Sequence, residues 1–193
     1  MLLNSANIPE IDLTFVISAT SASTDRTFTL MKSTINNIID KYGISRIHYT
    51  VIVFGSGFTT SVDFSTNVPD KETLTRLVTS LQRETGTPDL AKALQEVKRV
   101  YELREVRPNA KKVLVVILDK KTDNSKVQLE TIATDLVQKS ILIIGVGIGR
   151  SVDRNELIYI TEENRNIIEV EPTERPEEVA REIMKIILRS EIY

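Results

Sequence analysis

The chain has 193 residues, 41% of them hydrophobic and 27% charged, a balance that is typical of one globular domain and excludes a disordered chain. Its 25 basic and 27 acidic residues are scattered and give a formal charge of −2, so there is no basic stripe and we expect no nucleic-acid partner. The absence of cysteine excludes a thiol nucleophile, disulfides and cysteine-ligated zinc.

We expect a single domain over residues 1–193, with its folded core at about residues 10–190. No apolar run approaches ~18 residues, so no membrane span is predicted. The start, Met1 to Ser5, lacks the basic and then apolar regions of a signal peptide. If Met1 is an added initiator on a fragment, a signal peptide would lie outside this sequence.

The first part of the chain is predicted to form a strand and then a helix. The β-branched and aromatic run Ile11–Ile17 indicates a buried strand, and the small polar segment Ser18–Ser23 after it indicates a loop. Thr24 is a good helix N-cap, and apolar residues then follow at helical spacing until Gly43. This segment is predicted to be a helix of about five turns that packs on one face.

A hairpin and two helices are predicted next. Alternation over Ile47–Phe54 indicates a strand, and Thr59–Phe64 is its predicted partner across the turn at Gly55–Gly57. Asp70 and Asp89 are each placed to cap a following amphipathic helix.

The second half of the chain alternates strands and helices. The run Val113–Leu118 is apolar at every position, which indicates a strand that is covered on both faces. A helix is predicted at Lys126–Lys139 and a second all-apolar strand at Ile141–Val146. The remaining predicted elements are a short helix at Arg154–Ile160, a strand at Ile167–Val170 and a last helix that follows Pro172 and Pro176.

This alternation predicts an α/β fold: a doubly wound, mostly parallel, six-stranded sheet with one antiparallel edge strand and helices on both faces, as in Rossmann-like proteins. Such sheets bind ligands at the carboxyl ends of their strands. The loops that would meet there are Ser18–Ser23, Thr85–Asp89 and Asp119–Ser125. We therefore expect the functional site in these three loops.

Five segments around these loops resemble, in order and spacing, the von Willebrand factor A domain, the module of collagens, matrilins and integrin alpha chains. They are Asp12–Ile17, Val53–Gly57, Gly86-Thr87 with Ala93-Leu94 following, Val113–Asp119 and Ile144–Gly147. No single segment is specific, but together they cover nearly the whole chain. The resemblance implies the fold of that family and a role in binding another protein.

The resemblance also implies a position for a metal-ion-dependent adhesion site (MIDAS). In the family, that site takes Asp-x-Ser-x-Ser from the first loop, a threonine from the second and an aspartate from the third, all oxygen ligands for a hard cation. The matching positions here are Ser18, Thr20, Ala22, Thr87 and Asp119. Ser18 replaces the first aspartate and Ala22 has no ligand atom, so the resemblance implies a degenerate site.

The missing first-loop carboxylate is expected to weaken cation binding most. A unit-charge pair about 4 Å apart is worth about 4 kcal/mol at an effective dielectric near 20, and hydroxyl groups do not replace that attraction. We expect no cofactor and weak or absent magnesium binding, with Thr20, Thr87 and Asp119 as the ligands of any ion that does bind. Asp25 and Asp123 are candidate replacement ligands, although a helix cap and a solvated loop charge explain them more simply.

Other residues near the predicted site have competing interpretations. Thr85 is an alternative to the second-loop threonine, because the spacing from Thr87 to Ala93 is one residue longer than expected. Lys120 and Lys121 flank the site and would attract an acidic partner in place of an ion, or would simply be solvated. The glycine-rich run Gly145–Gly149 lacks a nucleotide-binding fingerprint and is predicted to be a tight turn. His48, the only histidine, is predicted to be a surface or strand-pairing residue.

The resemblance implies a non-catalytic, extracellular adhesion or matrix module that binds a matrix protein such as collagen without a fully formed MIDAS. The alternative is a structural or assembly scaffold domain of a larger matrix or intracellular complex. Asp119 at a strand end would suit a general base, but no acid or nucleophile is identified beside it, so we expect no enzyme.

Overall fold

One central sheet organises residues 8–189, the part of the chain that the computed structural model describes. Its strands are β1 (Ile11–Ser18), β2 (Ile47–Phe54), β3 (Phe58–Val62), β4 (Lys111–Leu118), β5 (Ile141–Ile148) and β6 (Ile167–Val170). They lie in the order β3-β2-β1-β4-β5-β6, and only the β2–β3 pair is antiparallel. The predicted fold class is therefore confirmed.

Six α-helices connect and cover the strands. They are α1 (Asp25–Tyr42), α2 (Lys71–Thr79), α3 (Leu90–Val100), α4 (Lys126–Gln138), α5 (Arg154–Thr161) and α6 (Pro176–Arg189), with a short 3-10 helix at Asn164–Asn166. Each of the first five begins after a Ser, Thr or Asp whose side chain accepts a hydrogen bond from a backbone N–H of the first turn. The predicted caps Thr24, Asp70 and Asp89 are thus confirmed. No helix within residues 8–189 is long and apolar enough to cross a membrane.

The core lies on both faces of the sheet. One face packs against α1, α2 and α6, and the other packs against α3, α4 and α5. Successive side chains of a strand point to opposite faces, so a strand that is covered on both sides is apolar at every position. In β4 the residues that face the first layer are Val113, Val115 and Ile117, and those that face the second are Leu114, Val116 and Leu118. This explains the two unbroken apolar runs.

The glycine-rich run after the start of β5 is not a tight turn over most of its length. Gly145 and Gly147 lie within β5, where α5 packs closely against the strand. A Cβ atom at either position would lie 3.1 Å from a methyl carbon of Leu157. Only Gly149, with a φ of +80°, adopts a turn conformation that disfavours a side chain. The prediction of a turn missed the helix contact that requires small residues inside the strand.

A buried ion pair closes the amino-terminal edge of the sheet. Asp12 in β1 is fully buried, and its carboxylate accepts hydrogen bonds from the backbone N–H and the Nε of Arg107, both at 2.8 Å. The Arg107 guanidinium also donates to the carbonyl of Ile11 at 2.6 Å. Nearby, the Tyr101 hydroxyl group bonds to the carbonyls of Asp12 and Val113. These bonds attach the segment before β4 to the central strand. His48 pairs with Asp12 in the β1–β2 register, as a strand-pairing residue would.

Replacing Asp12 with alanine is expected to lower the free energy of unfolding by about 3 kcal/mol, because the Arg107 guanidinium, only 18% exposed, loses its carboxylate. Urea denaturation measures this loss. The matched control is Asp135→Ala, which removes a partly exposed ion pair with Lys98 and should cost little. Equal losses in the two variants would contradict this assignment.

Candidate binding site at the carboxyl edge of the sheet

Backbone hydrogen bonds bring the three predicted loops together at the carboxyl ends of β1 and β4. The Glu84 N–H donates to the carbonyl of Ala19 at 2.8 Å, which joins the segment before α3 to the loop after β1. The Asp123 N–H donates to the carbonyl of Pro88 at 3.1 Å, which joins the loop after β4 to the same segment. The edge is therefore one continuous surface made of three loops.

Three of the predicted site residues are held at the ends of the central strands. Ser18 ends β1, is fully buried, and donates its hydroxyl hydrogen to Asp119 Oδ1 at 3.3 Å. Asp119 directly follows β4 and is half-buried. Thr20 is 2% exposed, and its backbone N–H donates to Ser23 Oγ at 3.0 Å. The carboxylate and both hydroxyl groups thus lie at the predicted edge.

A lysine ammonium group is hydrogen-bonded to the hydroxyl group of Thr20. Lys120 Nζ donates to Thr20 Oγ1 at 3.2 Å, and the backbone N–H of Ala22 donates to the same oxygen at 3.3 Å. Lys120 is half-buried, whereas the neighbouring Lys121 is exposed and pairs with Asp153 at 3.4 Å. The two lysines that the sequence analysis treated alike therefore have different surroundings.

The threonine of the second loop is not drawn into this cluster. Thr87 is exposed, and no hydrogen bond within residues 8–189 joins its side chain to Ser18, Thr20 or Asp119. The alternative residue, Thr85, is also exposed. Its carbonyl oxygen accepts hydrogen bonds from the backbone N–H and the hydroxyl group of Ser56. Neither threonine is directed to the site by a contact of its side chain.

The candidate replacement carboxylates do not join the cluster either. Asp25 is the first residue of α1 and forms an ion pair with Arg83 at 2.6 Å. Asp123 is exposed in the loop after β4. Asp119 is therefore the carboxylate that bonds to a hydroxyl group of this site.

These residues do not fit a divalent cation. Hard cations require several oxygen ligands with enough negative charge. Here one carboxylate, Asp119, already accepts a hydrogen bond from Ser18, and Ala22 supplies no side-chain oxygen. The ammonium group of Lys120 lies within hydrogen-bond distance of Thr20 Oγ1, where it would repel an ion. Across residues 8–189 there is also no cluster of three or more His, Cys, Asp or Glu side chains arranged to hold a metal.

Two polar contacts that the sequence analysis missed hold the loop after β4 in place. The carboxylate of Glu156, buried on α5, accepts hydrogen bonds from the N–H and the hydroxyl group of Thr122 at 3.0–3.1 Å. Asn124 donates to Asp89 Oδ1 at 3.0 Å and accepts from the backbone N–H of Ala91 at 3.2 Å. A glutamate on an amphipathic helix carries no sequence signal for such a role. The Asn124 contact likewise depends on which loops meet.

Comparison with known proteins supports the same assignment of fold. The sequence model of the von Willebrand factor type A domain matches residues 12–181. A structure of proximal thread matrix protein 1 from the mussel byssus, described with a zinc occupied MIDAS motif, is 17% identical to this chain. Its TM-score is 0.81, over 97% of this chain and 47% of that one. The chain thus spans about half the length of the byssus structure.

Two further structures have the same architecture. The manganese-loaded TRAP protein of Plasmodium vivax is 20% identical, with a TM-score of 0.77 over 93% of this chain and 74% of that one. A von Willebrand factor type A structure from Catenulispora acidiphila is 14% identical, with a TM-score of 0.73 over 94% of this chain and 42% of that one. At these identities the similarity establishes the fold alone.

Burial raises the pKa of Glu156 above its ordinary value of 4.5. The folded chain therefore retains this proton to a higher pH than the unfolded chain, and stability falls as the pH rises from 4.5 through the raised pKa. Glu156→Gln should remove this dependence. Thermal melts of both proteins between pH 4.5 and neutrality measure the difference. Parallel pH profiles would contradict the prediction.

Magnesium, manganese or calcium at millimolar concentration is expected to leave the melting temperature of the protein unchanged. An ion that binds the folded state must raise that temperature by mass action, and the donor set here does not favour binding. The control is sodium chloride at equal ionic strength. An increase with a divalent ion alone would show that a functional metal site is present.

Proposed function

The chain belongs to the von Willebrand factor type A domain family, and we therefore propose that it is a non-catalytic module that binds a matrix protein such as collagen without a MIDAS metal. Domains of this family are generally protein-interaction or adhesion modules. The proposed unit is one domain over residues 1–193, and its proposed location is extracellular.

The observation that carries this proposal is the composition of the loop edge. Ser18 is hydrogen-bonded to Asp119, and Lys120 is hydrogen-bonded to Thr20. These residues occupy positions that match the ion ligands of metal-dependent relatives. The loops that hold these residues are bonded to one another and to α5. A preformed surface of this kind suits protein recognition without an ion.

The same geometry supports a non-catalytic role. Two hydroxyl groups of the site contact a group that could act as a base: Ser18, which is fully buried, donates to Asp119, and Thr20 is hydrogen-bonded to Lys120. Thr20 is 2% exposed, however, and its oxygen also accepts the N–H of Ala22. A nucleophile must approach the reacting atom closely. Because such a hydroxyl group is buried, a substrate carbonyl would not reach it.

One structural relative supports a matrix role for the whole protein. The byssus structure is named as a thread matrix protein. That name accords with the proposed extracellular matrix module. The binding surface that we propose is the loop edge, where Ala22 and Thr87 are exposed.

Binding to immobilised collagens in the presence of a chelator tests this function. We expect saturable binding that EDTA does not weaken. Ala22→Arg and Thr87→Arg should each weaken it about tenfold or more, because a large side chain at the centre of an interface costs about 1.4 kcal/mol or more.

The matched control is Asn109→Arg, another exposed position, which lies in the loop before β4 at the opposite edge of the sheet. It should bind as the parent protein does. Loss of binding in EDTA would overturn the metal-free mechanism. Equal effects of Ala22→Arg and Asn109→Arg would overturn the location of the surface, and absence of binding to every collagen would overturn the proposed partner.

A further inference from the structure

We propose that the ammonium group of Lys120 takes the place of the adhesion-site cation and binds a glutamate or aspartate side chain of the protein partner. This inference rests on the proposed function, since it names the chemistry that the loop edge recognises. It also gives a physical reason why the remaining residues do not fit a metal ion.

The ammonium group of Lys120 is anchored by a hydrogen bond at the site. Lys120 Nζ donates to Thr20 Oγ1 at 3.2 Å, and Thr20 is one of the positions that match the ion ligands of the family. Thr20 is itself held by the N–H of Ala22 and by Ser23 Oγ. The half-buried side chain and the bond to a fixed hydroxyl group restrict the position of the ammonium group. A freely solvated lysine would sample many more positions.

Among the described residues Lys120 has no carboxylate partner, unlike the cationic groups near it. Around the same edge, Lys121 pairs with Asp153, Lys92 pairs with Asp89, and Arg83 pairs with Asp25. Within residues 8–189 no carboxylate oxygen lies within 4.0 Å of Lys120 Nζ. An ammonium group has three donors, and the bond to Thr20 uses one of them.

A carboxylate is the anion whose chemistry matches this ammonium group. The Lys120 side chain is half-buried and its ammonium group is held by Thr20, and a carboxylate can add short, charge-assisted hydrogen bonds to it. A phosphate backbone would require several cations in a row, and the neighbouring cations are already paired. The chain also has a formal charge of −2. A single acidic side chain of a protein is the ligand that matches one lysine.

The replacements at the first loop agree with this assignment. An aspartate at position 18 would lie beside Asp119 and add a second carboxylate at the strand ends, as a cation site requires. With serine at position 18, Asp119 is the one carboxylate that the described residues place at the carboxyl ends of β1 and β4, and Ser18 donates a hydrogen bond to it. The charge that attracts a partner is then built into the chain and needs no ion from the solvent.

The test uses NMR titration of the full chain with two capped peptides, acetyl-Gly-Glu-Gly-amide and its glutamine counterpart. The glutamate peptide should shift the amide signals of Thr20 and Ser23 in a saturable manner. The shifts should persist in EDTA and weaken with added sodium chloride, because salt screens a single charge pair. The glutamine peptide should have little effect.

Lys120→Met should abolish these shifts, and Lys120→Arg should retain them in part. Lys121→Met is the matched control, since it removes the adjacent ammonium group that is already paired with Asp153. Its shifts should equal those of the parent chain. Thermal melts verify that all three variants are folded. Equal responses of Lys120→Met and Lys121→Met, no response to the glutamate peptide, or an equal response to both peptides would each overturn the proposal.

A second measurement separates this proposal from the proposed function. If Lys120→Met binds collagen as the parent does, only the role of the lysine is overturned. If the parent binds no collagen but retains the peptide shifts, the matrix partner is overturned and the lysine site stands.

Restoring the ligand residues of the family tests independently whether Lys120 occupies the cation position. Ser18→Asp with Ala22→Ser should give little magnesium-dependent stabilisation while Lys120 is present, because the ammonium group opposes the ion. Adding Lys120→Met should produce a clear rise in melting temperature with magnesium. An equal rise without the third substitution would show that the lysine does not occupy the cation position.

Discussion

Burial of the central strands on both faces is the constraint on which the rest of this structure depends. β1 and β4 are covered by helices on each side, so polar groups along them are tolerated mainly at the strand ends or when they are hydrogen-bonded. Asp12 lies near the amino end of β1 with Arg107, and Ser18 lies at its carboxyl end with Asp119. The same burial that stabilises the fold therefore concentrates its polar chemistry at the two edges of the sheet.

At the carboxyl edge, the arrangement of charge differs from that of a cation site. A metal site gathers carboxylates and recruits its positive charge from solution, whereas this edge has one carboxylate bonded to a serine and a lysine on a buried threonine. A resident ammonium group is always available, but it carries one charge instead of two and cannot coordinate several oxygens at once. Recognition of this kind would depend on surrounding contacts for much of its affinity.

The loops that would make those contacts are held by side chains from outside the site. Glu156 on α5 accepts the N–H and hydroxyl group of Thr122, and Asn124 bridges to the start of α3. Such bonds fix the backbone near Asp119 before any partner arrives, which reduces the entropy lost on binding. They also attach the loop after β4 to α5.

The sequence by itself determined the elements, three of the helix caps and the class of the fold, because apolar periodicity and capping residues report backbone geometry that is local. It also identified the strand-end residues Ser18, Thr20 and Asp119. Only the tertiary structure decided that Lys120 lies on Thr20, a contact between residues 100 positions apart, and that Thr87 stays exposed. It likewise decided that the strand extends through Gly147 and that Leu157 packs against Gly145 and Gly147. The physical reason is that such contacts depend on how loops and helices from distant parts of the chain pack together, and no local spacing of residues encodes that packing.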